Sequence, residues 1–335
     1  MRRPRAVQMV LALVFGEVAC FVAPSVAAPV PPGDAYATLA VVNAGRQTLF
    51  GGTATIEQRV GDGIFIMMEA RLNMDADGVR PLARPADYPE REYGALKRGI
   101  AMLDARLVDQ LRSGEMERMS NVRGSGDVWI RSSVDGTLQP VGLYVPRSYD
   151  ARVPMPLVVF LHGRHDAEGE IVASPLLQQL AETAGAILIA PYARGDAGYD
   201  GAAAQDVYDA LDAATRAFSV DEQRIYLAGF SMGAFAVFRL AALRADRWRG
   251  LLAVAGALTD RQSASIAQRL RGKDVFLAYD APDEIVAERD VRATAGYLRA
   301  AGVSVHEYRQ TLGHHALYAL EPALRGAWKA MLTER

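Results

Sequence analysis

From Pro156 onward the chain alternates between short apolar, β-favouring runs and longer amphipathic stretches. "PLVVFL" precedes "PLLQQLAETAG", "AILIAPY" precedes "AAAQDVYDALDAATRAF", and "RIYLAG" precedes a third helix-like segment. "GLLAVAG", "DVFLAY" and "VSVHEY" repeat the arrangement. Strands that are apolar on both faces are buried on both faces, and helices between them supply the cover. The pattern predicts an α/β fold: a mostly parallel sheet with helices on both sides. Ahead of it, "DVWIRSSVDGTLQPVGLYV" reads as two strands joined at Asp135-Gly136, a dipeptide that favours hairpin turns. With 335 residues the chain is long enough for one large core and a smaller unit. A formal net charge of −2, with no basic tract, argues against a nucleic-acid partner or an anionic membrane surface.

The first 32 residues, "MRRPRAVQMVLALVFGEVACFVAPSVAAPVPP", place arginines before an apolar run and then small residues. This is the layout of a secretory signal peptide over 1–27, cut after Ser25-Val26-Ala27. Glu17 interrupts the apolar run and Pro24 closes it, so no stable membrane span is expected. Cys20 is the single cysteine, and Glu17 occupies the place where a lipoprotein signal wants a leucine-like residue. The expectation is a periplasmic or secreted protein, without cysteine once cut before Ala28 and stabilised by its core rather than by disulfides.

Residues 28–125 read as a small N-terminal region. Its stretch "DADGVRPLARPADYPERE" looks like a connecting loop, and a helix is expected near 96–112 from the spacing of Ile100, Leu103, Leu107 and Leu111. Its expected role is to pack that region against the main domain, 126–335.

The densest chemical signal is Gly229-Phe-Ser-Met-Gly233, between the strand-like "RIYLAG" and the helix-like run that follows. G-x-S-x-G at a strand-to-helix turn is the spacing of a nucleophile elbow, which exposes the serine Oγ and aims the next backbone N–H, that of Met232, at the reacting carbonyl. The blander alternative is that Ser231 caps the helix. A serine hydroxyl is a weak nucleophile, so Ser231 requires a histidine base, and the histidine requires a carboxylate. Of five histidines, His162 and His165 precede the serine and His306 sits inside a strand-like run, which leaves His314 and His315 in "TLGHHALY". The carboxylate candidates are Asp283 and Asp280 in "DVFLAYDAPDEIVAERD", with Asp260 in reserve; Asp283 also suits a helix cap. "PLVVFLHGRHD" ends a buried strand in His162-Gly163, after which the N–H of Arg164, or next that of His165, is placed to serve a developing oxyanion. In "APYARGDAGYDG", Tyr192, Arg194, Asp196 and Tyr199 either line an acyl or alcohol pocket or hold their own loop by ion pairing and stacking. No Cys/His cluster, P-loop or dinucleotide fingerprint is present, so neither metal nor cofactor is expected.

From about Ser132 to Arg335 these motifs, with "VDEQRIYLAGFSMGA", "DEIV" and "GHHAL", resemble the α/β-hydrolase superfamily. The resemblance is to polyhydroxybutyrate-depolymerase-like esterases and to prolyl-oligopeptidase-like (S9) catalytic domains. It implies a Ser231 acyl-enzyme with the chain order serine, acid, histidine. It favours Asp283 through Asp-x-x-Val and His314 through Leu-Gly-His, and makes Met232 and Arg164 the oxyanion donors. Arg-His-Asp after His162-Gly163 departs from the glycine-rich or cysteine-containing run of depolymerase-like enzymes. The implied function is an exported serine esterase acting on a small or polymeric carboxylic ester. The alternatives are an S9-like peptidase, for which about 100 preceding residues are too few for a propeller, and a hydrolase fold kept as a binding protein.

Overall fold

The computed structural model describes residues 88–113, 115–259, 263–312 and 314–333. The expected signal peptide, most of the expected N-terminal region and Asp260 lie outside the described residues. The first described helix, α1, spans Glu90–Ser113. It begins about six residues before the expected start at 96, because Pro89 and two acidic residues in the first turn start it although they read as loop.

The sheet has eight strands: β1 (Gly124–Arg131), β2 (Leu138–Val145), β3 (Met155–Leu161), β4 (Ile187–Pro191), β5 (Val220–Phe230), β6 (Gly250–Val254), β7 (Asp274–Asp280) and β8 (Ser304–Gln310). Their order is β1-β2-β4-β3-β5-β6-β7-β8. The β2 strand runs antiparallel to both neighbours, and every other pairing is parallel. Gly136 takes a positive φ of 74° at the expected hairpin turn. Every residue of β3, β4 and β6 is buried, as their unbroken apolar character requires. The more polar β8 lies at the edge and is only partly covered.

Alternating side chains divide the core into two layers. Leu157, Val159 and Leu161 of β3 pack with α4 (Ala202–Ala217), α5 (Met232–Leu243), α6 (Ser263–Arg269) and α7 (Glu288–Ala300). Val158 and Phe160 face α1, α2 (Glu168–Ala173), α3 (Pro175–Ala184) and α8 (Glu321–Thr333). Ile100 and Leu103 thus put α1 directly into the second layer, and Gly99 lets it approach Ala173, against which an added Cβ would come within 2.8 Å. Among the described residues no helix is long and apolar enough to cross a membrane. Together the strand order, the single reversed strand and the helical layers constitute the α/β-hydrolase fold. The loops leaving the carboxyl ends of β3, β4, β5, β7 and β8 gather at one edge of the sheet, where open α/β sheets carry their sites.

Candidate active site

Ser231 occupies a one-residue turn between β5 and α5 with φ 50° and ψ −116°, a backbone region that a residue bearing a Cβ rarely adopts. Crossing main chains force the turn to be this tight. A Cβ on Gly229 would lie 2.6 Å from the Gly233 carbonyl carbon, and one on Gly233 would lie 2.3 Å from the Leu161 oxygen. Strand, turn and helix can meet there only without side chains. The backbone is pinned by Ser231 N–H donating to Val254 O and Phe235 N–H donating to Ser231 O, each at 3.0 Å.

Ser231 makes no side-chain capping bond to α5. Its Oγ instead lies 2.9 Å from His315 Nε2, and His315 Nδ1 lies 2.8 Å from Asp283 Oδ2. A carboxylate only accepts, so Nδ1 carries the proton, Nε2 is left as an acceptor, and the serine hydroxyl donates to it. Phe230 packs against the His315 ring with centroids 5.2 Å apart. The Asp283 side chain is 1% exposed, and its Oδ1 accepts the N–H groups of Ile285 and Val286 at 2.8 Å each. It caps this turn rather than a helix, since α7 starts only at Glu288 with Ala287 at its cap.

The histidine that meets Ser231 and Asp283 is therefore His315, not the expected His314. In non-helical backbone consecutive side chains diverge, so one member of the pair turns inward while His314 is exposed. Asp280, at the end of β7, supports the site from outside it. Its Oδ2 accepts from Gln310 Nε2 and Leu312 N–H, both at 2.9 Å, and so ties down the loop that brings His315. His306 stacks on Phe276, with ring centroids 4.7 Å apart and planes 14° apart.

Across the sheet edge, the buried His162 ring places its two nitrogens 2.8 Å from Gly163 O and 2.9 Å from Tyr192 O. Tyr199 Oη donates to His162 O at 3.1 Å. The half-buried Asp166 carboxyl is held above its ordinary range by burial, with His162 pulling the other way. The His165 N–H donates to Asp196 Oδ1 at 2.8 Å, which removes it as an oxyanion donor. Neither the Arg164 N–H nor the Met232 N–H, in the first turn of α5, donates to an acceptor among the described residues. Arg194 bridges the buried Asp206 and the hairpin's Asp135, each at 2.7 Å. Of the two roles expected for Tyr192, Arg194, Asp196 and Tyr199, the side chains of Arg194, Asp196 and Tyr199 hold loops together, and Tyr192 does so through its main-chain oxygen. Among the described residues no group of three or more His, Cys, Asp or Glu is placed to hold a metal ion.

No protein-family model and no curated protein matches the sequence. Solved structures do match in fold. The fluorophosphonate-binding serine hydrolase F of Staphylococcus aureus superposes with a TM-score of 0.54 at 13% identity, over 63% of this chain and 100% of that one. The acylaminoacyl peptidase of Pyrococcus horikoshii matches with a TM-score of 0.50 at 12% identity, over 64% of this chain and 42% of that one. A thermostable esterase matches with a TM-score of 0.48 at 18% identity, over 63% of this chain and 60% of that one. The matched region thus spans less than two thirds of the esterase and of the peptidase.

Proposed function

We propose that this chain is a serine hydrolase that cleaves carboxylic esters through an acyl-enzyme on Ser231. The observation that carries the reading is the relay from Asp283 through His315 to a serine Oγ held on a strained, glycine-flanked turn. In the first step His315 Nε2 takes the hydroxyl proton as Oγ bonds to the ester carbonyl carbon, and Asp283 stabilises the imidazolium that forms. The carbonyl oxygen, now carrying the negative charge, accepts from the N–H groups of Met232 and Arg164. Collapse expels the alcohol, which leaves with the proton from His315. Water then repeats the sequence on the acyl-enzyme and releases the acid. Apart from the ester and the attacking water, the groups this reaction sequence uses belong to the polypeptide. With the first 27 residues as a signal peptide, the enzyme acts in the periplasm or outside the cell.

Peptide amides use the same relay, so substrate assays separate the two classes. A fluorescent fluorophosphonate, located by mass spectrometry, should label Ser231 in the wild type and leave Ser231→Ala unlabelled. Folded wild-type protein that takes no label would overturn the reading.

A further inference from the structure

His165 is one of the few residues other than glycine with a positive φ, 65°. That conformation disfavours any side chain with a Cβ and is kept only where contacts impose it. The turn Gly163–Asp166 is closed by Asp166 N–H donating to Gly163 O at 3.4 Å, with His165 at the position where such a turn can require a positive φ. Two further contacts to His165 come from one residue outside the turn. Asp196 Oδ1 accepts the His165 N–H at 2.8 Å, and Asp196 Oδ2 lies 2.9 Å from the ring Nδ1. The pair is open to solvent, with side chains 80% and 34% exposed, so it adds little to global stability.

What the pair does follows from its place. Arg164 and His165 are the two central residues of that closed turn, so Asp196, by holding the peptide between them, holds the turn that carries the Arg164 N–H. Asp196 stands on a loop that is itself anchored on both sides. Arg194 is clamped to Asp206 and Asp135, while Tyr192 O and Tyr199 Oη hold His162 at the base of the same turn. The loop after β4 therefore acts as a template against which the turn after β3 is set.

We infer that Asp196 is a positioning residue for the oxyanion site, holding His165 in its left-handed conformation so that the Arg164 N–H points at the reacting carbonyl. This rests on the esterase reading above. Asp196 touches no reacting atom, and its effect passes through backbone geometry.

The test is steady-state hydrolysis of p-nitrophenyl butyrate by the full chain. Asp196→Ala should lower kcat by about 10- to 100-fold, approaching the loss of one oxyanion donor, with KM changed by less than about twofold. Asp196→Asn, which keeps an acceptor for the N–H but not the charge, should lose less. The diagnostic variant is Asp196→Ala combined with His165→Gly. Glycine adopts this φ without a Cβ penalty, so the double variant should regain roughly tenfold in kcat over D196A. If D196A matches the wild type in kcat, the positioning role is wrong. It is equally wrong if D196A loses kcat together with its melting transition, or if H165G restores nothing. A wild type that neither turns over the ester nor takes fluorophosphonate overturns the esterase reading itself, and this inference with it.

Discussion

Ser231 Oγ lies 2.9 Å from His315 Nε2, although the serine heads a helix that its hydroxyl could have capped. The side chain is turned away from its own helix and toward a residue 84 positions later. Ser231→Ala should therefore abolish ester hydrolysis while leaving the melting temperature nearly unchanged, because no capping bond is lost. Ser231→Gly should be equally inactive but more stable by about 1 kcal/mol, roughly 2–4 °C, since it relieves the Cβ at φ 50°. Differential scanning calorimetry of the two variants checks both statements.

Gly233 cannot carry a side chain, because its Cβ would sit 2.3 Å from a main-chain oxygen of β3. Gly233→Ala should cost about 3 kcal/mol or more and distort the turn that presents Ser231. The expected result is a lower denaturation midpoint and a fall in kcat together.

The two aspartates at and just after the end of β7, Asp280 and Asp283, should separate cleanly. Asp283 fixes the His315 tautomer, so Asp283→Asn should lower kcat by about 10³–10⁴-fold. Asp280→Asn keeps a carbonyl oxygen for Gln310 and Leu312 and should lower kcat by no more than about tenfold. Equal losses in both variants would contradict this division of labour.

Much of the fold and site is legible in the sequence, and the failures have physical causes. Strands β3, β4, β6, β7 and the Ile225–Phe230 half of β5 declare themselves because burial on both faces demands continuous apolar runs, whereas β5 starts earlier, at Val220, over a polar and part-exposed stretch. The elbow declares itself because crossing main chains demand two glycines four residues apart. The choice between His314 and His315 is not legible, since it depends on how one loop turns on leaving β8. Asp283 stands out by its motif, whereas the bonding of Asp196 to His165 spans 31 positions and two loops, with no periodic pattern to announce it. The start of α1 is hidden because Pro89 and its acidic neighbours favour loops and helix N-termini alike.

Alkali should unfold the protein as buried tyrosines ionise. Burial foremost, then the bond to Glu307, pushes Tyr279 up to about 12, and Tyr144 rises to about 12 from burial and then its bond to Glu182. A group whose pKa is raised on folding contributes stability that is complete below its unfolded value, near 10, and is lost as pH rises through the folded value. Stability should therefore fall between about pH 10 and pH 12. Tyr279→Phe, which removes one such ionisation, should make that fall shallower in urea titrations across the range.

The most direct measurement is kcat/KM for p-nitrophenyl butyrate with His314→Ala and His315→Ala side by side. The relay from Asp283 to Ser231 through His315 predicts a loss of about 10³-fold or more for H315A and a change of less than about tenfold for H314A. A large loss in H314A with H315A near the wild type would contradict it.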